Sequence, residues 1–178
     1  MKIIAQHLKF LTVRPATEAD QAFIKQLYAS TRDDLRLFPG SPALIASLID
    51  MQETLQAGGY RSQFPDAQHG LLEHGNSPVG RVIVNVGGAE VRLVHIALLP
   101  AAQRRGFGRA VVLALQHGAR ARNLPLALRV DKDNINAKRL YLALGFQVCA
   151  SDDIADQMLW SGDLQGNLHV TCQPDPQA

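Results

Sequence analysis

The sequence predicts a single α+β domain over residues 1–178. Three observations predict it. A dense run of short apolar strands lies between Gly70 and Leu98, helical apolar spacing flanks that run on both sides, and the chain then alternates strand, helix, strand, helix. With 178 residues, 47% of them apolar and 19% charged, the chain is long enough to bury a substantial core.

In chain order, Leu8 to Arg14 reads as a first strand stopped by Pro15. Thr17-Glu-Ala-Asp20 has the form of a capping box ahead of apolar residues at Phe23, Ile24, Leu27 and Tyr28, so a helix is expected to about Thr31. Ser41 with Pro42 behind it is an N-cap followed by proline at the first helical position. Leu44, Ile45, Leu48, Ile49, Gln52 and Leu55 continue at helical spacing, and Gly58-Gly59 is expected to end that helix. Tyr60 to Gln68 then reads as a loop or a short turn around Pro65.

Strands are expected at Gly70–His74 and Val79–Val86 around a hairpin turn at Gly75-Asn-Ser-Pro78, and again at Glu90–Leu98. From Phe107, the positions Ala110, Val111, Ala114, Leu115 and Ala119 follow a helical period. A strand at Leu126–Val130, a short helix through Ala137, Leu140, Tyr141 and Leu144 capped by Gly145, and strands at Phe146–Ala150 and Gln157–Trp160 complete the pattern. Gln173 to Ala178, with two prolines, reads as a frayed tail.

Composition narrows the function. A net charge of +2 does not argue for nucleic acid. Two cysteines, Cys149 and Cys172, and six histidines without ligand spacing make a disulfide framework, a structural zinc or any other metal site unexpected. No stretch approaches eighteen apolar residues, and Met1 to Val13 has no leader-like core, so a cytoplasmic protein without a membrane partner is expected.

The most informative stretch is Ile96-Ala-Leu-Leu-Pro-Ala-Ala-Gln-Arg-Arg-Gly-Phe-Gly-Arg-Ala110. It reads as a strand end, a loop with one proline, and a basic glycine turn opening a helix. Such a turn aims several backbone N–H groups at one point, where the helix dipole is also positive. Gly106 and Gly108 leave room for an anion's oxygens, and Arg104, Arg105 and Arg109 surround them with charge.

Gln103-x-x-Gly106-x-Gly108 resembles the pyrophosphate loop of the GNAT superfamily of N-acetyltransferases. Two further landmarks follow in the family's order. The strand end Ile96-Ala-Leu-x-Pro100 precedes the loop, and Asn134-x-x-Ala137-x-x-Leu-Tyr141-x-x-Leu-Gly145-Phe146 follows it. The resemblance covers Glu90 to Gln147 and implies a GNAT fold, with helices on both faces of a mixed, mostly antiparallel sheet of about six or seven strands. It also implies acetyl-CoA or coenzyme A as cosubstrate, without a metal. Ile96, Ala97 and Leu98 would bond the pantetheine arm through open strand edges, and Gln103, Arg104, Arg105, Gly106, Phe107, Gly108 and Arg109 would hold the pyrophosphate. Asn134 and Ala137 would meet the arm, Asn134 being equally readable as a helix cap. Tyr141 would protonate the leaving thiolate.

An alkylamine of pKa about 10.4 is overwhelmingly protonated at neutral pH, so a base is also needed. The strand Glu90-Val-Arg92-Leu-Val-His95-Ile-Ala-Leu98 offers two. Strict alternation puts Glu90 on the face of Arg92, Val94 and Ile96, at the far end of the strand, and His95 on the other face unless the strand is bulged. Glu73 is a third candidate. The region between Thr31 and Gln68, including Asp33, Asp34, Arg36, Asp50, Gln52, Glu53, Tyr60 and Arg61, is expected to meet the acceptor. That long stretch resembles a bacterial subgroup of the family whose substrate is unassigned. The resemblance implies a primary amine of a small molecule or peptide as acceptor, which the sequence does not name. Free sheet edges leave a homodimer open, and a non-catalytic acyl-CoA sensor built on the same fold remains the alternative.

Overall fold

The computed structural model describes residues 2–5, 8, 10–32 and 41–162. Their centre is a seven-stranded sheet in the order β1-β2-β3-β4-β5-β7-β6. The strands are β1 (Thr12–Pro15), β2 (Gln68–His74), β3 (Ser77–Val86), β4 (Val91–Leu98), β5 (Leu126–Asp131), β6 (Gln147–Ser151) and β7 (Ala155–Trp160). Every neighbouring pair is antiparallel except β4 and β5, which run parallel. The mixed, mostly antiparallel sheet matches the sequence expectation.

Among the described residues five helices accompany it: α1 (Lys2–Ala5), α2 (Gln21–Ser30), α3 (Pro42–Gln63), α4 (Phe107–Arg120) and α5 (Ile135–Ala143). On one face, α4 buries Val111, Leu115 and Ala119 against Val82, Val84, Leu93 and Leu128, in a core that also takes in Tyr141 and Phe146. The short helix α1, which has no sequence signal of its own, completes this face by laying Ile3 on Gly118. A Cβ at Gly118 would meet the Ile3 carbonyl oxygen at 2.6 Å. On the other face, α2 packs on β3 and β4 and α3 packs on α2, with Ile24, Leu27, Ala57, Leu71 and Ile83 buried there.

Local chemistry accounts for most boundaries. The capping box forms as read, with Asp20 accepting from Thr17 N–H at 2.8 Å and from Thr17 Oγ1 at 2.9 Å. It opens a turn of 3₁₀ helix, and α2 follows. Asp20 is also gripped by Arg14 from β1 at 2.7 Å, which ties the helix start to the sheet edge. Ser41 caps α3 through Leu44 N–H at 3.3 Å. The hairpin turns on Gly75 (φ +58°) and Asn76 (φ +65°), two left-handed residues as a two-residue I′ turn requires.

Three expectations change. The first strand is shorter than Leu8–Arg14 and begins at Thr12. The helix expected to stop at Gly58-Gly59 runs on to Gln63, because both glycines take ordinary helical dihedrals and Ala57 beyond Glu53 keeps the segment packed. Cys149, on β6, is disulfide-bonded, which two cysteines far apart in sequence gave no spacing to reveal; the chain's other cysteine, Cys172, lies outside the described residues. The tail from Gln173 also lies outside them, as do Asp33, Asp34 and Arg36.

Candidate active site

The site grows from two defects that begin at the same place on β4. β4 pairs with β5 only at Val91, Arg92 and Leu93, opposite Leu126, Ala127 and Leu128. Beyond Leu93 the two strands part. On its other side β4 is bulged: Leu93 pairs with Val84 and His95 with Ile83, which leaves Val94 as the extra residue. The bulge inverts the alternation. Arg92 and His95 now share the face under α2 and α3, while Ile96 turns to the α4 face with Val82. The expectation that Glu90, Arg92, Val94 and Ile96 share one face is therefore corrected.

The parting opens a cleft of about 800 Å³. Val94 to Leu98 form one wall and Leu128 to Asp131 the other; Gln103 and Gly108 lie at one end, and Asn134, Ala137 and Tyr141 line it from α5. Among the described residues the β4 backbone between Val94 and Leu98 has no partner strand on this side, so its amide groups are available to a guest.

The glycine turn closes the end of the cleft nearest α4. Pro100–Ala102 form one 3₁₀ turn, and the Gln103 side chain donates from Nε2 to the Leu98 carbonyl at 3.0 Å, which pins the loop to the strand. Arg104 (φ +57°) and Gly106 (φ +83°) are both left-handed, curling the chain into the start of α4. The first helical hydrogen bond runs from Ala110 N–H to Gly106 C=O at 2.9 Å, so the N–H groups of Phe107, Gly108 and Arg109 precede the ladder. Arg104, Arg105 and Arg109 are exposed and make no ion pair among the described residues. Arg105 lies over the Phe107 ring at 4.9 Å, and Phe107 itself is buried with its ring 5.1 Å from that of His74. The surroundings are cationic, rich in free N–H donors and without a Cβ at the approach. They can bind a polyanion.

On α5, Asn134 acts as the N-cap, accepting from Ala137 N–H at 3.2 Å, and still lines the cleft. Tyr141 is 6% exposed, its ring 5.7 Å from that of Phe146. Its hydroxyl makes no hydrogen bond among the described residues, and burial pushes its pKa up to about 12. It is a protonated donor with no acceptor among the described residues.

His95 and Tyr60 meet on the opposite wall. The bulge swings His95 toward α3, whose last turn carries Tyr60, and the Tyr60 hydroxyl lies 3.1 Å from Nδ1 of His95. Burial, with Arg81 and His69 nearby, pushes His95 down to about 4, and burial pushes Tyr60 up to about 12. Both groups are thus neutral near pH 7.

The structure therefore brings His95, Ile96, Ala97, Leu98, Gln103, Gly108, Asn134, Ala137 and Tyr141 to one cleft, with Arg104, Arg105, Gly106 and Arg109 on the turn at its end. Glu90 is elsewhere. It precedes β4, accepts from Arg92 Nε at 2.7 Å and does not line the cleft. Glu73 is tied to Arg14 at 2.9 Å on β2. Sequence reading gave no role to Asp131, at the cleft end of β5, and placed Tyr60 only in a broad acceptor region. The signal for Tyr60 was its helical spacing from Glu53 and Ala57, which the two intervening glycines masked. Among the described residues no three His, Cys, Asp or Glu side chains gather as metal ligands, and no helix is long and apolar enough to cross a membrane.

Residues 28–146 match the family model described as the acetyltransferase (GNAT) family, about two thirds of the chain, and the chain belongs to that family. Solved structures share the fold. The PaiA N-acetyltransferase of Thermoplasma acidophilum, in complex with coenzyme A, is 18% identical over 84% of this chain and 97% of its own, with a TM-score of 0.63. The ribosomal-protein-S18-alanine N-acetyltransferase of Escherichia coli is 23% identical over 84% and 90%, with a TM-score of 0.57. Naa50 of Arabidopsis thaliana, in complex with the bisubstrate analogue CoA-Ac-MVNAL, is 15% identical over 85% and 99%, with a TM-score of 0.58. No curated protein sequence matches the chain.

Proposed function

We propose that this GNAT protein transfers an acetyl group from acetyl-CoA to a primary amine by direct attack, with no covalent enzyme intermediate. One observation carries the reading: the gap between β4 and β5 runs without interruption from the N–H-rich turn of α4 to Tyr141. Acetyl-CoA suits that shape. Its pyrophosphate needs the oriented N–H groups and arginines of residues 103–109, and its amide-bearing arm needs a strand edge such as Val94–Leu98.

Acetyl-CoA supplies the thioester. The chain's own groups do the rest. The open edge of β4 orients the arm as a partner strand would, and the α4 end neutralises charge. Tyr141, kept protonated by burial, donates to the sulfur as it leaves. Asn134 holds the start of α5 and with it the height of Tyr141 in the cleft. Neither Glu90 nor Glu73, each held by an arginine, has a part in this chemistry.

Calorimetric titration with acetyl-CoA, CoA and ATP tests the cofactor. Saturable binding of the first two and not the third is expected, followed by amine-dependent thiol release. Binding without turnover of any amine favours the sensor reading; no binding of acetyl-CoA by folded protein removes both.

A further inference from the structure

The acceptor amine must lose a proton, and neither Tyr141 nor the glycine turn can take it. The wall opposite Tyr141 carries a polar cluster on the sheet face under α3. Tyr60 and His95 pack with their rings tilted, 5.5 Å between centroids, and share the 3.1 Å contact at Nδ1. Behind them lies Arg81 on β3, its side chain 9% exposed. Its Nη2 is 3.1 Å from His69 Nδ1 on β2, its Nη1 is 3.9 Å from Glu53 on α3, and its Nε has no partner among the described residues. Tyr28 on α2 and Asp131 on β5 add their fields at Tyr60, and Arg92 on β4 is bound to Glu90.

We propose that Tyr60 is a catalytic residue of the acceptor site, accepting the amine's proton at its hydroxyl oxygen as its own proton passes to Nδ1 of His95. The proposal rests on the acetyltransferase reading and extends it. Three features carry it. Tyr60 and His95 line the same cleft as Tyr141 and the open edge of β4, so an acceptor entering between α3 and β5 meets Tyr60. Imidazolium is a stronger acid than a phenol, so the proton stays on the Tyr60 oxygen, and the phenol is a better donor than a neutral imidazole N–H, so that proton points at Nδ1. Tyr60 has no other hydrogen-bond partner among the described residues, which leaves its oxygen free to accept from the amine.

The step balances. The amine nitrogen adds to the thioester carbon, one N–H proton moves to Tyr60, and the phenolic proton moves to His95. The C–S bond then breaks and the thiolate takes the proton of Tyr141. Solvent carries the imidazolium proton back to Tyr141, and the sum is amine plus thioester to amide plus thiol. Arg81 sits behind His95 as a fixed positive charge, so the imidazole passes the proton on instead of storing it. His95 acts through Tyr60 and is a positioning and relay residue.

The test measures thiol release from acetyl-CoA with a graded series of amines, from anilines to alkylamines. It compares the wild type with Tyr60→Phe, His95→Gln and Asp131→Asn, and measures acetyl-CoA affinity on the same samples. Tyr60→Phe keeps the ring and its packing. Both Tyr60→Phe and His95→Gln are expected to lower kcat for alkylamines by roughly 100-fold. Acetyl-CoA affinity should hold, and the loss should shrink toward the anilines, whose adducts shed the proton unaided. Full activity of Tyr60→Phe, or an equal loss across the whole series, overturns the proposal. So does an amine-graded loss confined to Asp131→Asn. Acetyl-CoA binding without turnover of any amine removes it while leaving the cofactor site standing, whereas a wild type that binds no acetyl-CoA removes the reading beneath it.

Discussion

The hydroxyl of Tyr60 lies 3.1 Å from Nδ1 of His95, across the boundary between a helix and a strand bulge. The contact exists because two irregularities coincide. α3 continues one turn past Gly58-Gly59, and β4 gains a residue at Val94. Remove either and the two rings face different ways.

The glycine turn should be sensitive for two different reasons. Gly106 sits at φ +83°, and nothing lies within 4 Å of where its Cβ would stand, so Gly106→Val suffers from backbone strain of about 1–2 kcal/mol and not from a clash. At Gly108 a Cβ would meet Leu140 and Leu98 at 3.8 and 3.9 Å, ordinary contacts, so Gly108→Ala should fold normally. Gly108→Phe should fill the cleft end and weaken acetyl-CoA binding by roughly tenfold or more. Calorimetry on folded variants reads both, and unaltered affinity in Gly108→Phe counts against a cofactor at this end.

Tyr141→Phe keeps the ring against Phe146 and removes only the hydroxyl. Turnover should fall by roughly 100-fold with acetyl-CoA affinity unchanged, since the lost interaction acts at the leaving sulfur. A fully active variant assigns the acid elsewhere.

Ionisation should shape stability at both ends of the pH range. The folded-state pKa values of Tyr60 and Tyr141 are raised from 10 to about 12, so their contribution is complete below pH 10 and is lost as pH climbs toward 12. His95 is lowered from 6.5 to about 4, so the unfolded chain binds the extra proton and stability falls as pH drops from 6.5 toward 4. Denaturant titrations at stepped pH should show both slopes. In His95→Gln the acid slope should be shallower, and an unchanged one would mean the imidazole is not held neutral by its burial.

Gly118 is a packing glycine. Its place on α4 lies under Ile3, and Gly118→Ala drives a methyl toward the Ile3 backbone. The expected cost is about 1–3 kcal/mol, read as a lowered Tm with the cleft and its ligand affinity intact.

Much of this molecule was legible residue by residue. Capping boxes, a proline at the first helical position, paired left-handed turn residues and period-two strands depend on neighbours a few positions away. Thr17 with Asp20 and Ser41 with Pro42 accordingly form as read, while the hairpin connection expected over Gly75-Asn-Ser-Pro78 tightens to Gly75 and Asn76, with Ser77 and Pro78 already in the strand. The spacing of Gln103, Gly106 and Gly108 likewise marked the N–H-rich turn, because that feature is built from consecutive backbone groups.

What the chain could not announce was anything that needed a second segment to define it. Whether Gly58-Gly59 ends a helix depends on the packing around it, and the helix continues where Ala57 is buried and Tyr60 reaches the sheet at His95. Which face His95 shows depends on a register with β3 that shifts by one residue, and a shift of one residue reverses every side chain beyond it. Local sequence determined the elements and the glycine turn of this protein. Tertiary pairing alone decided that β4 would part from β5 and that Tyr60 would reach His95, since contacts between distant segments carry no local periodicity to read.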